Sequence, residues 1–162
     1  MNKKIETFYL NIDGEKQISP NFKVKEFRSK CGSHIIKINT DFVKNFLQKI
    51  REYFNRAVTV ISAYRTEAHN AKGGGARSSL HLTGKCLLIT RIFAFCKNAS
   101  WRKNYDEIKI IGVPLIEIAK YAENIGIKRI IIYNNFIHLD SRIIKYFARN
   151  NNGVITTVAK WN

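Results

Sequence analysis

Tyr64-Arg65-Thr66-Glu67-Ala68-His69-Asn70-Ala71-Lys72-Gly73-Gly74-Gly75-Ala76-Arg77-Ser78-Ser79-Leu80-His81 is the stretch that decides how the rest of the chain is read. The β-rich run from Val58 to Tyr64 predicts a strand ending at Arg65, and the Gly- and Ser-rich residues through Ser79 predict a loop with short helical turns. An arginine therefore stands at a strand end, and a histidine follows the loop. Far downstream, Phe136-Ile137-His138-Leu139-Asp140 reads as a strand on which His138 and Asp140, two apart, share a face. A neutral imidazole beside a carboxylate suits metal binding or general-base work. The planar fork of Arg65 suits clamping a carboxylate or steadying an oxyanion.

Working outward, Ser19-Pro20 predicts a helix start, with serine as cap and proline at the first helical position, followed by Phe22, Val24 and Phe27. Thr40 to Arg56 predicts the clearest helix. Its Phe42, Val43, Phe46, Leu47, Ile50, Tyr53 and Phe54 recur at three- and four-residue spacing, a core stripe. Val113 to Ile125 predicts a second helix, with Pro114 near its start and Gly126 past its end. Ile127 to Tyr133 and Phe136 to Arg142 predict two strands around an Asn134-Asn135 turn. Strands and helices without βαβ regularity argue for an α+β fold in a single domain, residues 1–162.

The length of 162 residues and a hydrophobic share of 45% suffice for one packed core. No apolar run reaches the ~18 residues of a transmembrane helix. Met1 to Thr7 carries lysines with no apolar stretch after them, so no secretory leader is visible and synthesis in a cytoplasm is expected. Cys31, Cys86 and Cys96 form an odd, poorly spaced set that suits a reduced compartment and lacks a C-x-x-C zinc spacing. A net charge of +16 points to a polyanionic partner: nucleic acid, an anionic cell wall or a membrane surface. Scattered Lys residues alongside abundant Asn and Ile are equally explained by an AT-rich coding sequence.

Taken in order, Ser62-Ala63-Tyr64-Arg65-Thr66-x-x-His69-Asn70, then Gly74-Gly75-Ala76-x-x-Ser79-x-His81-Leu82-x-Gly84-Lys85, then Phe136-Ile137-His138-Leu139-Asp140-x-Arg142 resemble the D-alanyl-D-alanine carboxypeptidase branch of the Hedgehog-fold zinc peptidases. The upstream Ser19-Pro20-Asn21-Phe22 and Cys31-Gly32 are similar to the opening of that family, so the likeness spans residues 18–142. It implies a central, mainly antiparallel sheet flanked by helices. It also implies a zinc metallopeptidase that cuts peptide stems of peptidoglycan, of the kind found in bacterial cell-wall peptidases and phage lysis proteins acting at the wall. By this resemblance His81 is the first zinc ligand and His138 the last. Arg65 faces the substrate, Ser79 stands two before the first ligand, and Asp140 orients the metal site or assists proton transfer; these three are the catalytic residues that the resemblance implies.

The pattern breaks at one point. The family's middle ligand, an aspartate seven residues after the first histidine, falls on Leu88, which cannot bind zinc. Three readings stay open. Residues 87–104 form an insertion, after which Glu107, or its neighbour Asp106, returns the carboxylate; or the middle ligand is lost; or Cys86 substitutes as a thiolate. The alternative to an enzyme is a basic, non-catalytic module on the same fold, binding cell wall or nucleic acid through aromatic residues such as Tyr133, Phe136, Tyr146 and Trp161.

Overall fold

The computed structural model describes residues 4–90 and 112–161. Strand β1 (Ile5–Tyr9) leads into a single turn, α1 (Leu10–Asp13), and pairs antiparallel with β4 (Ile35–Asn39) in a small sheet of its own. Between them, β2 (Gln17–Ser19) and β3 (Phe22–Lys23) form a tight hairpin, followed by one 3-10 turn at Val24–Phe27. The helix start expected at Ser19-Pro20 is therefore a β-turn. Ser19 pairs with Phe22, which leaves Pro20 at the first central turn position that its fixed φ suits. The hydroxyl that would have capped a helix instead donates to Oε1 of Gln48 at 2.9 Å.

The expected helix from Thr40 is a continuous helical rod: α2 (Thr40–Phe42), a π-helical stretch Val43–Leu47, and α3 (Gln48–Tyr53). Asn39 caps it, its side-chain oxygen accepting the Phe42 N–H at 3.0 Å. It stops short of Arg56 because Asn55 takes the left-handed conformation at φ 46°. Val43, Leu47 and Ile50 from the stripe are buried, whereas Tyr53 is exposed and stacks on Tyr121 at 3.8 Å.

The main sheet is built from β5 (Val60–Ser62), β6 (Cys86–Thr90), β7 (Arg129–Tyr133), β8 (Phe136–Asp140), β9 (Tyr146–Asn151) and β10 (Val154–Val158). Their order is β10-β9-β7-β8-β6-β5, with every pair antiparallel except β7 with β9. Together with helices α4 (Glu67–Lys72) and α5 (Leu115–Asn124), this is the α+β architecture with a mostly antiparallel sheet that the sequence implied. The Asn134-Asn135 hairpin joins β7 and β8 as expected. The β9–β10 hairpin was not foreseen, although Asn152-Gly153 at its tip, both at positive φ, is the residue pair such turns prefer.

Period-two alternation gives the sheet two faces. Leu87, Ile89, Ile130, Ile137 and Leu139 are all at most 3% exposed and belong to one buried cluster with Ile118, Ala119 and Ala122 of α5 and with the rod. The opposite face carries the chemistry. Among the described residues no helix is long and apolar enough to cross a membrane.

Candidate metal centre

Strand register sets the site. Cys86 of β6 pairs with Asp140 of β8, Asp140 with Arg129 of β7, and Arg129 with Tyr146 of β9. One row across the sheet therefore presents a thiol, a carboxylate, a guanidinium and a phenol on one face. The next row runs Ser62, Leu88, His138 and Ile131. His138 and Asp140 share a face, as two-residue spacing requires, and Nε2 of His138 lies 3.3 Å from Oδ2 of Asp140.

His81 comes from above this face. It sits on a 3-10 turn, Leu80–Thr83, capped by Ser79, whose hydroxyl accepts the His81 backbone N–H at 3.3 Å. The turn ends at Gly84, at φ +71°, where a side chain would lie 2.2 Å from the Lys37 carbonyl oxygen. The His81 carbonyl accepts the Arg65 N–H at 2.9 Å, which ties the turn to the end of β5. The preceding loop is closed by buried Asn70, which donates to the Ala76 carbonyl at 2.9 Å. Gly75 packs so tightly on this asparagine that a Cβ there would lie 2.1 Å from Asn70 Oδ1.

Each imidazole has one ring nitrogen engaged by a hydrogen-bond partner. Burial pushes the His81 pKa down to about 4. In the neutral ring Nδ1 donates to the Ala63 carbonyl at 2.5 Å, which leaves the Nε2 lone pair free. In His138 the Asp140 contact draws the proton to Nε2 and leaves the lone pair on Nδ1. Burial pushes the Asp140 pKa up, but hydrogen bonds from His138 and Arg142 outweigh it and hold the carboxyl at about 2. Arg142 grips it through Nε at 3.1 Å to both oxygens and through its backbone N–H at 2.9 Å. Arg129 Nε adds a charge contact at 3.3 Å without hydrogen-bond alignment. Asp140 is thus held ionised near neutral pH beside Arg142 and Arg129. Sequence reasoning gives neither arginine a role: Arg142 lies two residues past Asp140, whereas Arg129 meets it only through the β7–β8 register.

The donor atoms of His81, Cys86 and His138 all lie within 4.8 Å of one another. Two imidazoles and a cysteine sulfur form a donor set that zinc accepts. Burial pushes the Cys86 thiol up, with the Asp140 charge adding to it, so without a cation the group stays protonated. A divalent ion reverses that balance. Leu88 is buried opposite His138. Arg65 lies close above, its Nε donating to Ser62 at 2.8 Å. Residues 87–90 of the expected insertion belong to strand β6, and the remainder, like Asp106 and Glu107, falls outside the described residues. Trp161 does not serve the surface role considered for it: it is 4% exposed and packs beside Phe147.

The family model for Peptidase M15 matches residues 20–140, well over half of the chain, and the chain belongs to that family. A search of curated proteins finds no match.

Proposed function

We propose that this member of the Peptidase M15 family is a zinc metallopeptidase acting on the peptide stems of peptidoglycan, as a D-Ala-D-Ala carboxypeptidase or an endopeptidase of the endolysin type, on a Hedgehog/DD-peptidase-like fold. The observation that carries the reading is the convergence of His81 and His138 on the polar face of the sheet, each with one nitrogen engaged in a supporting hydrogen bond. Zinc bound there supplies Lewis acidity, polarising a carbonyl and lowering the pKa of water at its open position toward ~7.

The chain's own residues supply the rest. Asp140, clamped by Arg142 and Arg129, keeps the His138 ring in one tautomer and orientation. Ser79 and Gly84 hold the His81 turn, so Ser79 is a positioning residue. Arg65, anchored on Ser62, is placed to engage a carbonyl or carboxylate of the stem. The net charge of +16 raises encounter with an anionic wall.

The test is incubation of the zinc-loaded protein with a purified muropeptide and mass analysis of the products. Release of D-alanine indicates a carboxypeptidase, and opening of a cross-link indicates an endopeptidase. An intact muropeptide after prolonged incubation with added zinc contradicts the reading.

A further inference from the structure

We infer that the metal position left vacant by Leu88 has moved two residues along the same strand, so that Cys86, as a thiolate, joins His81 and His138 in a His₂Cys site. This rests on the reading of the pocket as a metal centre and specifies its ligands. Residues 86 and 88 point to the same face of β6, one opposite Asp140 and the other opposite His138. A ligand can therefore move from one to the other without changing the face it serves.

Geometry and charge agree. Bond lengths of ~2.0–2.1 Å to nitrogen and ~2.3 Å to sulfur put tetrahedral ligand atoms about 3.3–3.6 Å apart. The donor atoms of His81, Cys86 and His138 already lie within 4.8 Å of one another, so rotamer adjustments of roughly an ångström complete the shell. A thiolate carries the same charge as the aspartate it replaces, so the net charge of an occupied centre is unchanged. Its softness is different. A site of two imidazoles and one thiolate favours zinc, cobalt or cadmium over magnesium or calcium. Cys86 is 4% exposed, which suits a ligand shielded from other thiols, whereas Cys31 is an exposed free cysteine elsewhere.

Cobalt substitution tests this without reference to activity. The cobalt-loaded protein should show a sulfur-to-cobalt charge-transfer band in the near ultraviolet, absent in Cys86→Ser. Because Cys86→Ser could unfold the core, a second variant carrying Cys31→Ser and Cys96→Ser leaves Cys86 as the sole thiol, and the band must persist in it. Metal bound through nitrogen and oxygen alone, or a band lost in the double variant, overturns the His₂Cys assignment while leaving a zinc peptidase intact. A metal bound by nitrogen and oxygen and lost in Glu107→Gln would assign the third position to that carboxylate instead. Failure of the wild type to bind either zinc or cobalt overturns the underlying metal reading as well.

Discussion

Leu88 stands directly across the β6–β8 ladder from His138, on the face that also carries Cys86 and Asp140. The position where the resemblance implies an aspartate therefore lies beside His138 and carries leucine. A carboxylate at 88 would neighbour the histidine, whereas leucine offers only apolar contact.

Leu88→Asp should therefore create a metal ligand at the cost of a buried apolar side chain. Without zinc the variant should lose about 2–3 kcal/mol, since it removes a packed leucine and buries a charge. Saturating zinc should raise its melting temperature more than that of the wild type, and muropeptide hydrolysis should quicken. Thermal melts with and without zinc, alongside product analysis, check this. Equal zinc-induced shifts in the two proteins would show that residue 88 does not reach the metal.

Acid stability of the metal-free protein should fall in two separable limbs. The His81 pKa is about 4 when folded against an ordinary 6.5, so between these values the unfolded chain binds the extra proton. Stability then drops as pH falls through that window, by roughly 3 kcal/mol at most. Asp140, held at about 2 against an ordinary 3.8, contributes stability that is present above the higher value and lost as pH falls toward the lower. That limb is worth roughly 2 kcal/mol. Urea titrations across pH should show His81→Gln flattening the first limb and Asp140→Asn the second.

Asp140→Asn should also act above both windows. It leaves Arg129 and Arg142 without their counter-charge and weakens the hold on His138. A loss of about 1–3 kcal/mol is expected, less than for a fully buried pair because the Arg142 side chain is 41% exposed and can be solvated. Weaker zinc binding should accompany it, by about 10–100-fold for a partner of a metal-binding histidine. Calorimetry and a zinc-chelator competition read the two effects separately.

Ser79→Ala separates positioning from catalysis. Loss of the cap on the His81 turn should cost about 0.5–2 kcal/mol. Turnover by the zinc-saturated variant should stay within a few-fold of wild type. A loss of several orders of magnitude at unchanged zinc occupancy would make the serine a direct participant.

Much of this site could be read in the sequence because its chemistry follows strand periodicity. His138 and Asp140, and likewise Cys86 and Leu88, are two apart, and alternation alone puts each pair on one face. The α5 helix and the β7–β8 hairpin were legible because Pro114 and Gly126 bracket the one and Asn134-Asn135 joins the two strands of the other. What could not be read was set by long-range pairing. Arg129 reaches Asp140 only because β7 lies beside β8 in this register, and no local pattern specifies that. Ser19-Pro20 was misread because its helix-cap chemistry also fits a β-turn, and the Gln48 amide some thirty residues away decided between them. Asn152-Gly153 was a local signal that went unused.

The most direct test of the central claim is the zinc content of the purified protein, measured by elemental analysis for the wild type and for His81→Ala and His138→Ala. Zinc stoichiometric with the wild-type chain and lost from both variants is the predicted result. A wild type that remains zinc-free after incubation with the metal, or stoichiometric zinc retained by both variants, would contradict it.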